Sequence, residues 1–266
     1  MEITIIQGIL LAALALICGV DFWLEALFIF RPMIVCTLTG IILGDLRLGL
    51  TAAALTELAF AGLTPAGGTQ PPNPILAGIM TVVIAYTTKT NPATAIGLAL
   101  PFSFLMQYII LFYYSAFSFF MVKADKYAKE ADTNSFVRLN ILTTSIVSIT
   151  YAVVVFLCAY LAQEPMRALV SSMPEWLSHG FEVAGGILPA VGFAMLLKVM
   201  LKIQYTPYLI IGFVAASFIS FGNLLPVAVI GTALALMEFF RDKNEKETIE
   251  KLKREHSFDG GEDDGI

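Results

Sequence analysis

Long apolar segments dominate this chain and constrain its fold more than any other feature. Nearly uninterrupted apolar runs cover Ile3–Val20 and Ala95–Val122, and a bilayer span needs about 20 such residues. Hydrophobic residues make up 58% of the 266 residues and charged residues 14%, against about 45–50% and about 25% in soluble domains. One soluble core cannot hide that much apolar surface. Because a backbone in lipid must satisfy its own hydrogen bonds, the sequence predicts an all-α polytopic membrane protein.

Three further apolar runs are too short to cross a membrane as single helices. They are Met33–Gly44, Leu48–Leu63 and Ile75–Thr87. The last two flank Thr64–Pro74 (TPAGGTQPPNP), which is too rich in proline and glycine to be regular helix. Short apolar runs of this kind are typical of broken or re-entrant helices. The sequence therefore predicts discontinuous hairpin segments beside the full transmembrane helices.

The rest of the chain divides into further apolar segments and a charged tail. Lys123–Arg138 is expected to be a polar connection, and the apolar segments that follow it are Leu139–Ala162, Phe181–Leu201, Tyr205–Phe221 and Leu224–Phe240. We expect residues 1–240 to form the membrane-embedded domain. Residues 241–266 should form a charged tail, helical at first and then disordered. Its dense lysines and arginines predict a cytoplasmic C-terminus.

Two local patterns add detail to this outline. Asp21–Pro32 (DFWLEALFIFRP) mixes charges with aromatic residues and predicts an interfacial elbow, with Asp21, Glu25 and Arg31 forming a polar network. Glu57-Leu58-Ala59 and Glu182-Val183-Ala184 each precede glycines and a proline. Similar breaks at corresponding places in two halves indicate a possible internal pseudo-repeat, a pattern that points to the binding sites of transporters.

Glu57 is the sharpest candidate for function, because it lies inside an apolar run. A carboxylate there costs about 2.5–3.5 kcal/mol on insertion scales, so it usually faces a cavity or a partner. The structural alternative is that it pairs with a cation such as Arg47, or caps the amides of a broken helix. Glu182 is a second candidate for substrate binding, since it also precedes a helix break.

The polar break after Glu57 supplies four neutral hydrogen-bonding side chains. They are Thr64, Thr69, Gln70 and Asn73. Amide donors, amide acceptors and exposed main-chain groups suit a neutral ligand with many hydroxyl groups. A cation site would need more carboxylates, and a phosphate site would need arginine or a helix start. An ordinary tight loop outside the membrane is the alternative.

Several classes of function lack their residue patterns. No G-x-x-x-x-G-K-[ST] motif is present, so ATP binding through a P-loop is excluded. The cysteines and histidines have no metal-ligand spacing, and no basic patch with interleaved aromatic residues points to nucleic acid. We therefore expect no metal, no cofactor and no nucleic-acid partner. Energy for transport must then come from an ion gradient or from another polypeptide.

Four segments carry a resemblance to a known family. They are FRPMIVCTLTGIILGDLRLGL, LTELAFAGLTPAGGTQPPNPILAG, KADKYAKEADT and HGFEVAGGILPAVGFAML. Together they resemble the membrane IIC component, or sugar permease, of the mannose-family phosphotransferase system, along nearly the whole chain. The segments DFWLEALF and GLTPAGGTQPPNP look most like the N-acetylgalactosamine or galactosamine type.

The resemblance implies a mechanism and a set of partners. The chain would lie in the bacterial inner membrane, bind the sugar and present its hydroxyl to a phosphorylated IIB protein, which IIA supplies with phosphate that descends from phosphoenolpyruvate. It would not itself be phosphorylated. It would pair with a second membrane subunit, IID, in oligomers of IIC–IID pairs, and a mobile sugar-binding core would shift against a scaffold. The family's contacts support Glu57, Thr64 and Asn73 as site positions.

Other functions stay open from the sequence. The sugar specificity could be of the mannose or sorbose type. An ion-coupled secondary transporter would use Glu57 to bind a proton or sodium, and an integral membrane enzyme would use the same region as its active site. These readings differ in whether the sugar accumulates as its phosphate.

Overall fold

The computed structural model describes residues 2–63, 71–219 and 225–258, and these ranges contain helices and their connections but no strand. A π-helical turn (Leu157–Leu161) extends α7, and a 3-10 turn (Ile203–Tyr205) precedes α10. The α-helices are α1 (Ile5–Leu24), α2 (Pro32–Leu43), α3 (Leu46–Phe60), α4 (Pro74–Thr88), α5 (Pro92–Ala116), α6 (Ser118–Lys129), α7 (Thr133–Phe156), α8 (Gln163–Ser171), α9 (Glu175–Met200), α10 (Thr206–Phe218) and α11 (Leu225–Phe258).

Helix length separates two classes of apolar helix. Among the described residues, four helices are long and apolar enough to cross a membrane: α1, α5, α7 with its π turn, and α9. By contrast α2, α3 and α4 have 12, 15 and 15 residues, about 18–23 Å at 1.5 Å per residue. A hydrocarbon core is about 30 Å thick. The predicted all-α membrane fold with short, interrupted helices is confirmed.

Helix α4 forms the centre of the core. Its sequence, PILAGIMTVVIAYTT, is apolar on every face, and nearly all of its side chains are buried, as expected of a helix surrounded by others. It packs against α5, α2 and α3. The buried Thr81 hydroxyl donates to the Ala77 carbonyl oxygen, so its polar group is satisfied within the helix. Helix α4 is therefore enclosed by neighbouring helices, whereas α2 and α3 each keep an exposed face.

A tight hairpin joins α2 to α3. Gly44 ends α2 with φ +80°, in the left-handed region where glycine has no steric penalty. The Asp45 carboxylate then accepts a hydrogen bond from the Leu48 amide at 3.0 Å and caps α3. A Cβ on Gly40 would lie 2.6 Å from the Cα of Gly49. This close approach holds α2 and α3 side by side. The start of α2 therefore lies next to the end of α3.

The segment expected to be a polar connection, Lys123–Arg138, is mostly helical, because α6 continues to Lys129 and α7 begins at Thr133. Only residues 130–132 interrupt the helices. The Asp132 carboxylate accepts a hydrogen bond from the Ser135 amide at 3.1 Å and starts α7. Polar residues here mark an exposed helix surface, which a count of apolar residues cannot distinguish from a loop.

The chain divides into two compact units, one up to Val199 and one from Met200. In the second unit α10 packs against α11, and the Tyr208 hydroxyl donates to Glu238 Oε2 at 2.6 Å. Helix α11 has 34 residues and continues without a break through the predicted domain boundary at residue 241. Residues 259–266 of the predicted tail lie outside the described residues.

Candidate functional site

An irregular elbow of residues 25–31 joins α1 to α2. Glu25 and Phe28 have φ values of 46° and 56°, in the left-handed region that residues other than glycine rarely adopt. Asp21 holds this backbone, since its two carboxylate oxygens accept hydrogen bonds from the Leu27 and Ile29 amides at 2.7 and 2.6 Å. Asp21 is buried. The sequence predicts a polar network of Asp21, Glu25 and Arg31. In the structure, Asp21 instead binds the backbone of the elbow.

Glu57 lies on α3, opposite the start of α2, and binds two groups there. Its Oε1 accepts from Arg31 Nε at 2.9 Å and forms an ion pair with the same guanidinium group. Its Oε2 accepts from the Met33 amide at 3.0 Å. Arg31 is the N-cap residue of α2 but makes no side-chain cap. Glu57 supplies that cap from the neighbouring helix, where the helix dipole also favours a negative charge.

The geometry of the hairpin explains this pairing. Met33 lies ten residues before the end of α2, and Glu57 lies eleven residues after the start of α3, about 15–17 Å along each helix. The two residues therefore lie level with each other at the end of the hairpin that is farthest from the Gly44–Asp45 turn, which we call its open end. Arg47 lies at the closed end, ten residues before Glu57. The structural alternative for Glu57, pairing with a cation and capping helix amides, is therefore confirmed. The cation is Arg31 and not Arg47, which lies about 15 Å from Glu57 along α3.

A cavity of about 300 Å³ opens beside the Arg31–Glu57 pair. Its size is at the lower end of the range for small-ligand pockets, about 300–1,000 Å³. Aromatic rings and prolines form most of its wall, and the charged lining residues come from the elbow. The lining residues are Phe22, Glu25, Phe28, Phe30, Arg31, Pro32, Phe60, Leu63, Pro71 and Pro74. Such a wall suits a small ligand that has both an apolar face and polar edges.

Asn73 is fully buried at the start of α4 and lies next to this cavity in the sequence, between lining residues Pro71 and Pro74. Its Nδ2 donates to the Tyr151 hydroxyl at 2.5 Å, and its Oδ1 accepts from the Leu76 amide at 3.1 Å. The Ser103 hydroxyl donates to its carbonyl oxygen at 2.8 Å. Asn73 therefore ties α4 to α5 and α7.

Glu182 lies in a different part of the first unit. Its carboxylate is half exposed and is 3.7 Å from Nδ1 of His179. Three residues later, a Cβ on Gly185 would overlap the carbonyl oxygen of Ala93 at the start of α5. Asn73 contacts α5 at Ser103, ten residues further on, or about 15 Å along the helix. Glu182 does not line the cavity, and its role in binding stays a prediction.

The remaining predicted ligands cannot be placed. Thr64, Thr69 and Gln70 lie outside the described residues. Sequence reasoning missed the contribution of the elbow to the cavity. The signal was present in DFWLEALFIFRP, where four aromatic residues and three charges occur within twelve positions. An interfacial location explained that composition equally well, because interfaces also favour aromatic residues.

The second unit contains a larger groove of about 460 Å³ between α10 and α11. Its wall is mainly apolar, and two of its polar lining residues bind each other, since Glu238 accepts from the Tyr208 hydroxyl at 2.6 Å. The wall of the elbow cavity, by contrast, includes Pro71 and Pro74 of the predicted polar break. The smaller cavity at the elbow is therefore the better candidate site.

The chemistry available at the cavity is that of binding. Among the described residues, no three His, Cys, Asp or Glu side chains are grouped so that they could hold a metal ion. Arg31 can donate hydrogen bonds, Glu25 can accept them, and the phenylalanine rings can pack against the C–H face of a ligand. This set orients a polar ring compound and contains no group that is arranged as a nucleophile with its base.

Comparison with known proteins gives consistent matches over nearly the full length. The family model for the sorbose-specific IIC component of the phosphotransferase system matches residues 5–237. N-acetylgalactosamine permease IIC component 1 of Escherichia coli (strain K12) is 66% identical over 246 residues, which are 92% of each chain.

Two solved structures share the fold. A membrane protein structure with 28% sequence identity aligns with a TM-score of 0.81 and covers 90% of this chain and 96% of that one. The mannose transporter ManYZ, in a cryo-EM structure with microcin E492 (MceA), has a chain that is also 28% identical. That chain aligns over 90% of this chain and 96% of its own length, with a TM-score of 0.58.

Proposed function

This chain belongs to the family of sorbose-specific IIC components of the phosphotransferase system, and from that premise we propose that it imports N-acetylgalactosamine or a related amino sugar. It is an inner membrane protein that acts as the sugar-binding and translocating subunit of a phosphoenolpyruvate-dependent system. The 66% identity to an N-acetylgalactosamine permease component supports this sugar over mannose, since the mannose transporter chain is 28% identical.

The observation that carries the proposal is the aromatic cavity beside the Arg31–Glu57 pair. A sugar ring has apolar C–H faces and a rim of hydroxyl groups, so it needs flat hydrophobic walls together with a few oriented polar groups. The phenylalanines supply the walls, and Arg31 supplies hydrogen-bond donors. Glu57 fixes the direction of Arg31 through the 2.9 Å contact. We assign Glu57 to the site as the residue that orients Arg31.

The polar segment after Glu57 supplies the other site residues of the proposal. Leu63 and Pro71, the described residues on either side of positions 64–70, both line the cavity. That segment contains Thr64, Thr69 and Gln70, whose hydroxyl and amide groups suit the sugar rim. Asn73 acts at the end of this segment, where its bonds to Tyr151 and Ser103 hold the chain in position.

We assign the phosphoryl transfer to a partner protein. A phosphohistidine on IIB, charged through IIA, faces the bound sugar from the cytoplasm. Its P–N bond breaks as a P–O bond forms to the sugar hydroxyl, and the hydroxyl proton is left to the released imidazole. This chain contributes the bound and oriented sugar. The exposed His179 lies beside the Glu182 carboxylate and is not part of the cavity wall, which supports a chain that carries no phosphate itself.

The membrane partner in this proposal is a IID subunit. The family resemblance supports that pairing and an oligomer of IIC–IID pairs. Many large apolar side chains are exposed on the helices of this chain, including Ile5, Tyr108 and Ile187, so lipid and a membrane partner can both cover them. The lysines and arginines after residue 241 support a cytoplasmic C-terminus, on the side where IIB acts.

The proposal is tested by sugar uptake into membrane vesicles that contain this chain and its IID partner. Labelled N-acetylgalactosamine should enter only when phosphoenolpyruvate, the general carriers, IIA and IIB are supplied, and the label should accumulate as sugar phosphate. Accumulation of free sugar under a proton gradient, without phosphoenolpyruvate, would overturn the proposal in favour of an ion-coupled transporter.

A further inference from the structure

We propose that the Glu25 carboxylate determines the sugar specificity of the cavity by accepting a hydrogen bond from an N–H group on the sugar. Both an acetamido group and a free ammonium group carry such a donor. This inference rests on the proposed function, since it concerns the same cavity. The predicted site residues do not include Glu25, and the family assignment gives it no role.

The charge balance of the cavity is the first argument. Two charged side chains line it, Glu25 and Arg31. The charge of Arg31 is balanced by Glu57. Among the side chains that the structure describes, those of residues 2–63, 71–168, 170–219 and 225–251, no lysine, arginine or histidine forms an ion pair with Glu25. The described wall therefore has one uncompensated charge, which is negative and attracts hydrogen-bond donors and cations.

The backbone of the elbow is the second argument. Glu25 ends α1 in the left-handed conformation, and its amide donates to the Asp21 carbonyl oxygen at 2.7 Å. Three residues later Phe28 is also left-handed. Both residues line the cavity, and the Asp21 carboxylate anchors the backbone around Phe28. Strained backbone that is held by its surroundings is concentrated at ligand clamps and switches. Here it fixes the point from which the Glu25 side chain extends.

The chemistry of the two possible donors is the third argument. A sugar hydroxyl both donates and accepts hydrogen bonds, so a donor or an acceptor in the wall can bind it. An N–H group only donates, so it needs an acceptor, and an ionised carboxylate only accepts. A hydrogen bond to an ionised partner is also roughly twice as strong as a neutral one. Glu25 therefore favours a sugar with nitrogen in place of one hydroxyl oxygen.

The aromatic rings that line the same cavity as the exposed Glu25 side chain strengthen this preference. Phe22 and Phe30 pack edge to face with centroids 5.2 Å apart, and Phe28 lies 5.6 Å from Phe30. These rings form part of the same wall as Glu25. A bound sugar that displaces water from this wall leaves the carboxylate in a medium of lower dielectric constant, where its interaction with a donor is stronger.

The test is a competition experiment in the uptake vesicles, with this chain, IID and the soluble phosphotransferase proteins. Labelled N-acetylgalactosamine competes with unlabelled N-acetylgalactosamine, galactosamine or galactose, and the inhibition constant of each is measured. Two variants are compared. Glu25→Leu removes the acceptor at similar size, and Glu25→Gln keeps an acceptor but removes the charge. Glu130→Gln, an exposed carboxylate paired with Lys126 on α6, is the matched control.

We expect Glu25→Leu to raise the inhibition constants of both nitrogen-containing sugars about ten- to hundredfold, as for loss of a hydrogen bond to a charged group, with galactose nearly unchanged. Glu25→Gln keeps a neutral acceptor, so it should weaken galactosamine, whose ammonium group is charged, more than N-acetylgalactosamine, whose acetamido N–H is neutral. Glu130→Gln should match the unchanged protein.

Equal changes for all three sugars, or no change in either variant, would overturn the proposal. So would an unchanged protein that binds galactose as tightly as the amino sugars. If Glu25→Leu fails to reach the membrane, the selectivity of Glu25→Gln decides by the same criterion. The same vesicles separate this failure from that of the proposed function: unchanged protein that yields no sugar phosphate from phosphoenolpyruvate contradicts the function itself.

Discussion

Arg31 and Glu57 are 26 positions apart in the sequence, and they form an ion pair across the open end of the α2–α3 hairpin, with Arg31 Nε 2.9 Å from Glu57 Oε1. The pair joins the elbow after α1 to the helix that precedes the polar break. The cavity lies where these two segments meet, and Arg31 forms part of its wall. A change at Glu57 should therefore reach the ligand through Arg31.

Glu57→Gln should abolish most sugar uptake while the protein still inserts and binds IID. Glutamine keeps an oxygen for the Met33 amide but leaves Arg31 without its counter-charge. The side chains of Glu57 and Arg31 are 17% and 34% exposed, respectively. Losing a hydrogen bond between charged groups costs about 1.5–3 kcal/mol. Uptake of labelled sugar should fall at least about tenfold. Glu130→Gln, just after α6, serves as the control. Normal accumulation of sugar phosphate by Glu57→Gln would show that the Glu57 carboxylate is structural only.

Asn73→Ala should raise the apparent KM for the sugar. The change frees the start of α4 from Tyr151, to which Asn73 donates at 2.5 Å. Tyr151→Phe removes the same bond from the other side and should act in the same direction, with about 1–3 kcal/mol lost when a buried polar group is left unsatisfied. Because both changes break one contact, their effects on stability should not add in the double variant. An unchanged KM in Asn73→Ala would remove Asn73 from the binding set.

Gly185→Ala and Gly186→Ala should have opposite effects on stability. A Cβ at Gly185 would overlap the Ala93 carbonyl oxygen, whereas a Cβ at Gly186 would have nothing within 4 Å. Overpacking costs about 1–3 kcal/mol, and alanine in an open helix position gains up to about 1 kcal/mol over glycine. Thermal unfolding in detergent measures both. Equal midpoints for the two variants would contradict the packing of α9 against α5.

Asp132 should make stability depend on pH at the acid end. Hydrogen bonds from the side chain and backbone of Ser135 hold the pKa of the Asp132 carboxyl below its ordinary value. A lowered pKa in the folded state means that the contribution is full above the ordinary aspartate pKa and is lost as the pH falls through the lowered one. Asp132→Asn keeps an acceptor that does not titrate. The difference between the thermal midpoints of the two proteins should be largest near neutral pH and should shrink as the pH falls through the lowered pKa.

A constant difference between Asp132→Asn and the unchanged protein across that range would contradict the role of the charge. Because the carboxylate is partly exposed, solvent screens it, and the effect should weaken at high salt. An effect that does not depend on salt would instead indicate a change in the geometry of the cap.

The helices differ in how well their limits follow from the sequence. Proline, glycine and aspartate mark the ends of α2 and α3, because Pro32 suits a first turn, Gly44 takes the left-handed conformation and Asp45 caps the next helix. The junction of α6 and α7 has no such marker besides Asp132, and its lysines and glutamates are typical of both loops and exposed helices. Its helices were therefore missed.

The candidate site also combines a residue that stands out in the sequence with a contact that does not. Glu57 stands out in the sequence because a carboxylate in an apolar run is costly. The partner of Glu57 does not stand out in the sequence, because Arg31 and Arg47 both lie near helix ends and either could pair with it. Only the antiparallel packing of α2 on α3, allowed by Gly40 and Gly49, brings one of them level with the carboxylate. Glu25 joins the cavity for a similar reason, through an elbow that Asp21 bends.

The sequence by itself determined that this protein is helical, lies in a membrane, belongs to a sugar phosphotransferase family and has a polar interruption after Glu57. These properties follow from local composition and from motifs that are contiguous in the chain. Only the tertiary structure decided that Glu57 binds Arg31, that the elbow forms a wall of the cavity and that Glu182 lies elsewhere. Such contacts depend on how helices pack, and the packing energy is shared among many residues that are distant in sequence.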